Sequence, residues 1–140
     1  MPNIYIRKVP EWLVTLNIMP KNVCFAIAQY IFLNQDRYNE FINNEQTPYT
    51  KAIIAHEIVH IQRAAAIGLV KFLFLYFFSK SFCLNEELEA IKVEMKVYKQ
   101  YDKTFDTDTR AHFLATLWLY HNCVSYADAK KILDDMWQQI

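Results

Sequence analysis

Short apolar runs dominate the first third of the chain, and longer amphipathic stretches dominate the rest. NIYIRKV, WLVTLNI and VCFAIAQYIFL are rich in β-branched and aromatic residues, and Pro10 and Pro20 separate them. Three extended segments joined by turns are expected. The third run is as compatible with a helix, because a continuous apolar run carries no period. The polar stretch Asn34 to Gln46 reads as a long loop. After Pro48 the pattern becomes helical. Thr50 can cap a helix through KAIIAHEIVHIQRAAA, with Gly68 near its end. Further helices are expected from Asn85 to about Tyr101, from Asp106 or Asp108 through AHFLATLWLYH, and from Ser125 through YADAKKILDDMWQQ. Strands precede helices, which predicts an α+β fold with a helical C-terminal part.

The chain has 140 residues, enough for one core and one domain over 1–140. Apolar residues make up 54% and charged residues 21%, which excludes intrinsic disorder. With 15 Lys+Arg against 15 Asp+Glu there is no basic stripe, and so no case for a nucleic-acid partner. Cys24, Cys83 and Cys123 lack the spacing of a zinc ribbon or a redox pair, and read as reduced thiols. The opening MPNIYIRK lacks the apolar core of a signal peptide, so a cytoplasmic chain is expected. From Ala64 to Phe78 the sequence is AAAIGLVKFLFLYFF, broken only by Lys71. That is shorter than the ~20 residues of a membrane span, and it carries a charge. A buried core element is the preferred reading, with a peripheral membrane contact or a subunit interface as the alternative.

His56-Glu57-Ile58-Val59-His60 is the pattern that carries chemistry. On a helix, residues four apart share a face, so both imidazoles can reach one zinc ion. Glu57 can take a proton from water at the open coordination position and deliver it to a leaving amine. A third protein ligand is required. Positions 63 and 66 are Arg and Ala, so the long HExxHxxGxxH pattern is absent. Among Glu86, Glu87 and Glu89, helical phase separates the candidates. Leu84, Leu88, Ile91, Met95 and Tyr98 form one apolar stripe. At about 100° per residue, Glu87 points about 50° from the centre of that stripe. Glu86 and Glu89 point about 150° away, toward solvent.

HEIVH followed by Glu87-Leu88-Glu89-Ala90 resembles the gluzincin metalloproteases, especially the single-domain minigluzincins. Many gluzincins place their third ligand in a Glu-x-x-Ala-Asp or Glu-x-x-Ser-Asp pattern. The resemblance implies zinc held by His56, His60 and Glu87, with Glu57 as general base. It also implies a small N-terminal antiparallel sheet packed on the active-site helix, with an edge strand able to line an extended peptide. Ile91 stands where many gluzincins have an Asp that orients the first histidine, so a backbone carbonyl or Glu94 has to serve. Gluzincins usually add a Tyr or His that stabilises the oxyanion. His112, Tyr120, His121 and Tyr126 are candidates, and His121 is preferred because it closes an apolar helix. Phe72, Phe74, Tyr76, Phe77 and Phe78 read as core packing rather than a specificity wall. The expected function is zinc-dependent hydrolysis of peptide or protein substrates. The alternative is a weak or inactive zinc-binding protein that acts as an interaction module.

Overall fold

The computed structural model describes residues 3–117 and 120–140. Its order of elements is strands first and helices after, an α+β fold. Strand β1 (Tyr5–Lys8) is followed by helix α1 (Glu11–Thr15), then by strands β2 (Phe25–Ile27) and β3 (Tyr30–Leu33). WLVTLNI is therefore not a strand. Pro10 sets the helix entry, and Ile18 and Met19 both donate backbone hydrogen bonds to the Leu13 carbonyl, coiling the segment back on itself. The continuous run VCFAIAQYIFL becomes a hairpin whose connection is Ala28–Gln29, with Ala28 at φ 55°. The sheet order is β1-β3-β2; β1 runs parallel to β3 and β2 antiparallel. The sheet is thus mixed, not antiparallel throughout, because α1 carries the chain across before the hairpin forms.

Asn34 to Gln46 is a loop only at its end, from Asn43 to Gln46. Asn34 accepts from the Arg37 backbone N–H and caps helix α2 (Gln35–Ile42). Tyr38 and Phe41 of α2 pack against the cluster of Ile31, Leu33, Ile53 and Ile61. Tyr38 and Phe41, three residues apart, share one face of this short, largely polar helix, while Ile42 is exposed.

Helix α3 (Pro48–Ile67) begins one turn before Thr50. Thr47 is its cap, with Pro48 in the first turn, where a missing N–H costs nothing. Thr50 is buried and donates to Glu40 at 2.5 Å, within a group that includes Arg37. Gly68, at φ 90°, separates α3 from α4 (Leu69–Phe78), and the two axes differ by 115°. Ser79 caps α5 (Lys80–Gln100), which starts earlier than Asn85. Helices α6 (Thr107–Thr116, capped by Asp106) and α7 (Tyr126–Gln139, capped by Ser125) complete the fold. The chain leaves helical geometry at Leu117, which ends α6 there; Trp118 and Leu119 lie outside the described residues.

Two cores flank the central pair α3 and α5. Ile31 and Leu33 of the sheet pack on Ile53 and Ile61 of α3. Ile91 and Met95 of α5 pack with Leu114 of α6 and Leu133 of α7. The cross-contacts Arg63–Glu86, His60–Glu87, His56–Glu94 and Tyr49–Tyr98 run in opposite sequence directions, so α3 and α5 are antiparallel.

Candidate metal centre

The interface between α3 and α5 is where the charged groups lie. Buried residues of α5 include Cys83, Glu86, Glu87, Ala90, Ile91, Glu94 and Met95. Cys83, Ile91 and Met95 belong to the helical core, while Glu86, Glu87 and Glu94 reach Arg63, His60 and His56 of α3. Leu84 and Leu88 are only half-buried, so the buried arc is rotated from the leucine stripe toward the acids. Glu86 is therefore not turned to solvent. It is buried, and Arg63 Nε donates to it at 2.9 Å. Glu89 is exposed, as its phase indicates.

His56, His60 and Glu87 are all buried, and their ligand atoms lie within 4.8 Å of one another. The two Nε2 atoms are 3.3 Å apart. His60 Nε2 is 3.3 Å from Glu87 Oε1, and His56 Nε2 is 3.5 Å from Oε2. Three donor atoms thus converge on one small volume, and Glu87 Oε2 has no hydrogen-bond partner among the described residues. A buried carboxylate oxygen with an unused lone pair, beside two imidazole nitrogens, is a set of donors that can hold a metal ion.

The groups behind this cluster orient it. His56 Nδ1 lies 3.1 Å from Glu94 Oε2, so its N–H donates to that carboxylate and Nε2 is turned to the cluster. Arg110 of α6 donates to the other Glu94 oxygen at 2.5 Å and lies over Phe105 and Phe113. Of the two acceptors left open by the sequence, Glu94 takes the role. Arg110 was not visible in the sequence, since nothing local ties α6 to α3. Tyr76 of α4 donates its hydroxyl to Glu87 Oε1, which helps fix that carboxylate.

The electrostatics follow from this packing. Burial alone would lower the His56 pKa, but Glu87 and Glu94 outweigh it and raise it to about 10. Burial likewise pushes Glu87 up, yet the two histidines hold it well below the usual carboxylate range. For Glu94, Arg110 and then His56 overcome burial and lower it. Glu57 differs. Burial raises its pKa, and the neighbouring histidines only partly compensate.

Glu57 makes no hydrogen bond among the described residues and faces open space. Two cavities, of about 230 Å³ and about 280 Å³, meet along Val23, Cys24, His56, Glu57 and Tyr120. The first is polar at its far end, where Asn22, Asp106, Thr109 and Arg110 line it. The second is apolar, walled by Phe25, Ala26 and Ile27 of β2 and by Phe72, Tyr76 and Phe77. Phe72, Tyr76 and Phe77 are therefore cavity wall as well as packing, whereas Phe74 and Phe78 are exposed. Edge strand β2 runs along the cavity.

His121 lines neither cavity. It sits at φ 50° just past the break after α6, with its ring edge-on to Phe77 at 6.0 Å, one layer behind the cavity wall. His112 and Tyr126 stack on each other at 4.2 Å and share Asp108 at the surface. Tyr120 is the member of that group of candidates that reaches the site. It is buried and lines both cavities, and burial together with Glu87 raises its pKa well above the usual phenol value. No protein family, no curated protein and no solved structure matches this chain.

Proposed function

We propose that the chain is a zinc-dependent peptidase whose metal is held by His56, His60 and Glu87. The observation that carries this reading is a three-donor site, His₂Glu, opening beside Glu57 onto a cleft. Structural zinc sites are closed by four protein ligands, whereas hydrolytic sites keep one position open. The spacing suits zinc. Bonds of about 2.0–2.1 Å in tetrahedral geometry separate the ligand atoms by roughly 3.3–3.4 Å; here the two Nε2 atoms are 3.3 Å apart, and each has one Glu87 oxygen nearby, Oε1 at 3.3 Å from His60 and Oε2 at 3.5 Å from His56.

When bound, zinc supplies Lewis-acid activation of water and of the scissile carbonyl. Glu57 would accept the proton of the attacking water, and its raised pKa suits a group that must later release that proton to the leaving amine. Tyr120, which lines the cavity, would donate its hydroxyl to the developing oxyanion. Backbone of β2 offers an edge along which an extended substrate can lie. Arg110 and Glu94 hold His56 in its ligating orientation.

Elemental analysis and a peptide-library assay on wild type and Glu57→Gln test the reading together. About one zinc per chain in both proteins is expected, with turnover reduced roughly 10²–10⁴-fold in the variant. Equal turnover in both would remove Glu57 from the mechanism. Zinc bound without turnover in wild type would leave a metal-stabilised interaction module, and no bound zinc would end the proposal.

A further inference from the structure

We propose that α4 is a membrane-docking element that seats the protein on the surface of an anionic lipid bilayer. On a helical projection Val70, Phe74, Phe77 and Phe78 fall within an arc of about 100°. Val70 is 83% exposed, Phe74 62% and Phe78 77%. The opposite side of the helix is occupied: Phe72 is buried, and Tyr76 reaches Glu87. Fixed by its inner face, α4 presents an aromatic stripe outward. At ten residues it is too short to cross a bilayer, and among the described residues no single helix is long and apolar enough to do so. An in-plane contact suits its length.

Charge distinguishes lipid from a protein partner or a second copy. The chain as a whole balances 15 basic against 15 acidic residues, yet no carboxylate occurs from Ile58 to Asn85. The same segment carries Arg63, Lys71 and Lys80. Arg63 pairs with Glu86, while Lys71 and Lys80 form no ion pair among the described residues. Lys71 flanks the stripe and Lys80 follows its C-terminal end, which places ammonium groups at headgroup depth while the rings enter the acyl boundary. A second copy would set the same cations against each other. Phe77 belongs both to the stripe and to the wall of the apolar cavity, so docking brings the mouth of that cavity to the bilayer surface.

The test uses the full chain and needs neither metal nor turnover, so it stands apart from the peptidase reading. Vesicles of phosphatidylcholine and phosphatidylglycerol in equal parts are sedimented with the protein and compared with vesicles of phosphatidylcholine alone. Binding to the mixed vesicles is expected to exceed binding to the neutral ones and to weaken as salt is added. The Phe74→Asp/Phe78→Asp double variant should lose at least ~10-fold in partitioning, and Lys71→Gln about fivefold. Both sites are exposed, and circular dichroism checks that the variants keep the wild-type fold. Wild type left in the supernatant with mixed vesicles, or double-variant binding equal to wild type, would overturn the proposal. So would sedimentation equilibrium showing a dimer that the double variant dissociates, with no vesicle binding, because the stripe would then belong to a second copy.

Discussion

Glu94 stands two helical turns beyond Glu87 on α5, and its two oxygens are divided between His56 and Arg110. A metal-ligating imidazole held in this way loses affinity by about 10–100-fold when its acceptor is removed. Glu94→Gln should weaken zinc binding to that extent in a chelator competition, while Glu89→Gln, on the exposed side of α5, should leave it unchanged. Equal affinities for the two variants would mean that the helix alone orients His56. Cys24 and Cys83 are expected to react slowly because of burial. Burial pushes Cys24 up to about 11 and Cys83 to about 12. A raised thiol pKa depletes the nucleophilic thiolate, so at pH 8 about one Cys24 in a thousand is ionised. Alkylation of the folded protein should therefore be slow at pH 8 and accelerate about tenfold per pH unit toward 11, with fast reaction at pH 8 only after unfolding. Rapid labelling of Cys24 in the folded state would contradict that account.

At the scale of elements, short polar contacts decide where each helix starts. Thr47 accepts from the Thr50 N–H and its hydroxyl donates to Glu40, tying the entry of α3 to α2. Thr47→Ala should cost about 1 kcal/mol in denaturant unfolding, the usual worth of an N-cap. The hairpin carries the opposite expectation. Ala28 stands at φ 55°, a region where a β-carbon is strained and glycine is not. Ala28→Gly should stabilise the protein or leave it neutral, by up to about 1 kcal/mol, even though glycine loosens the unfolded chain. A loss of stability there would mean that the methyl group contributes packing that outweighs its strain. Both features explain boundaries that periodicity could not place. Thr50 looked like the cap of α3 because it precedes the apolar pattern, but Pro48 can occupy the first turn and moves the start upstream. Leucine spacing put the buried face of α5 in nearly the right place, enough to choose Glu87. It missed the burial of Glu86, which depends on Arg63 arriving from another helix.

Over the whole molecule, α3 and α5 form a shared wall between the sheet core and the helical core. Met95 is fully buried in the second core, and Met95→Ala should cost ~2–5 kcal/mol, measured by chemical denaturation. At the proposed zinc site the ligands come from two helices that unfolding separates, so bound zinc would add to this by linkage. At a free concentration about a hundredfold above Kd, zinc should stabilise the folded state by about 2.7 kcal/mol. In Glu87→Ala the same addition should produce little or no shift of the unfolding midpoint. A shift of full size in that variant would relocate the third ligand.

What the sequence determined by itself was local. HExxH on a helix puts His56, Glu57 and His60 at fixed relative positions, because helical geometry within one turn does not depend on the rest of the chain. The phase of α5 selected Glu87 for the same reason, and the caps at Asp106 and Ser125 marked α6 and α7. The tertiary structure alone decided everything that joins elements distant in the chain. Arg110 reaches Glu94 because α6 packs against α5, and Tyr76 reaches Glu87 because Gly68 turns α4 back over the site. The same turn leaves Phe74 and Phe78 in solvent, although their composition reads as core. Hydrophobicity records a side chain's preference for leaving water, but which faces are covered depends on where neighbouring elements come to rest.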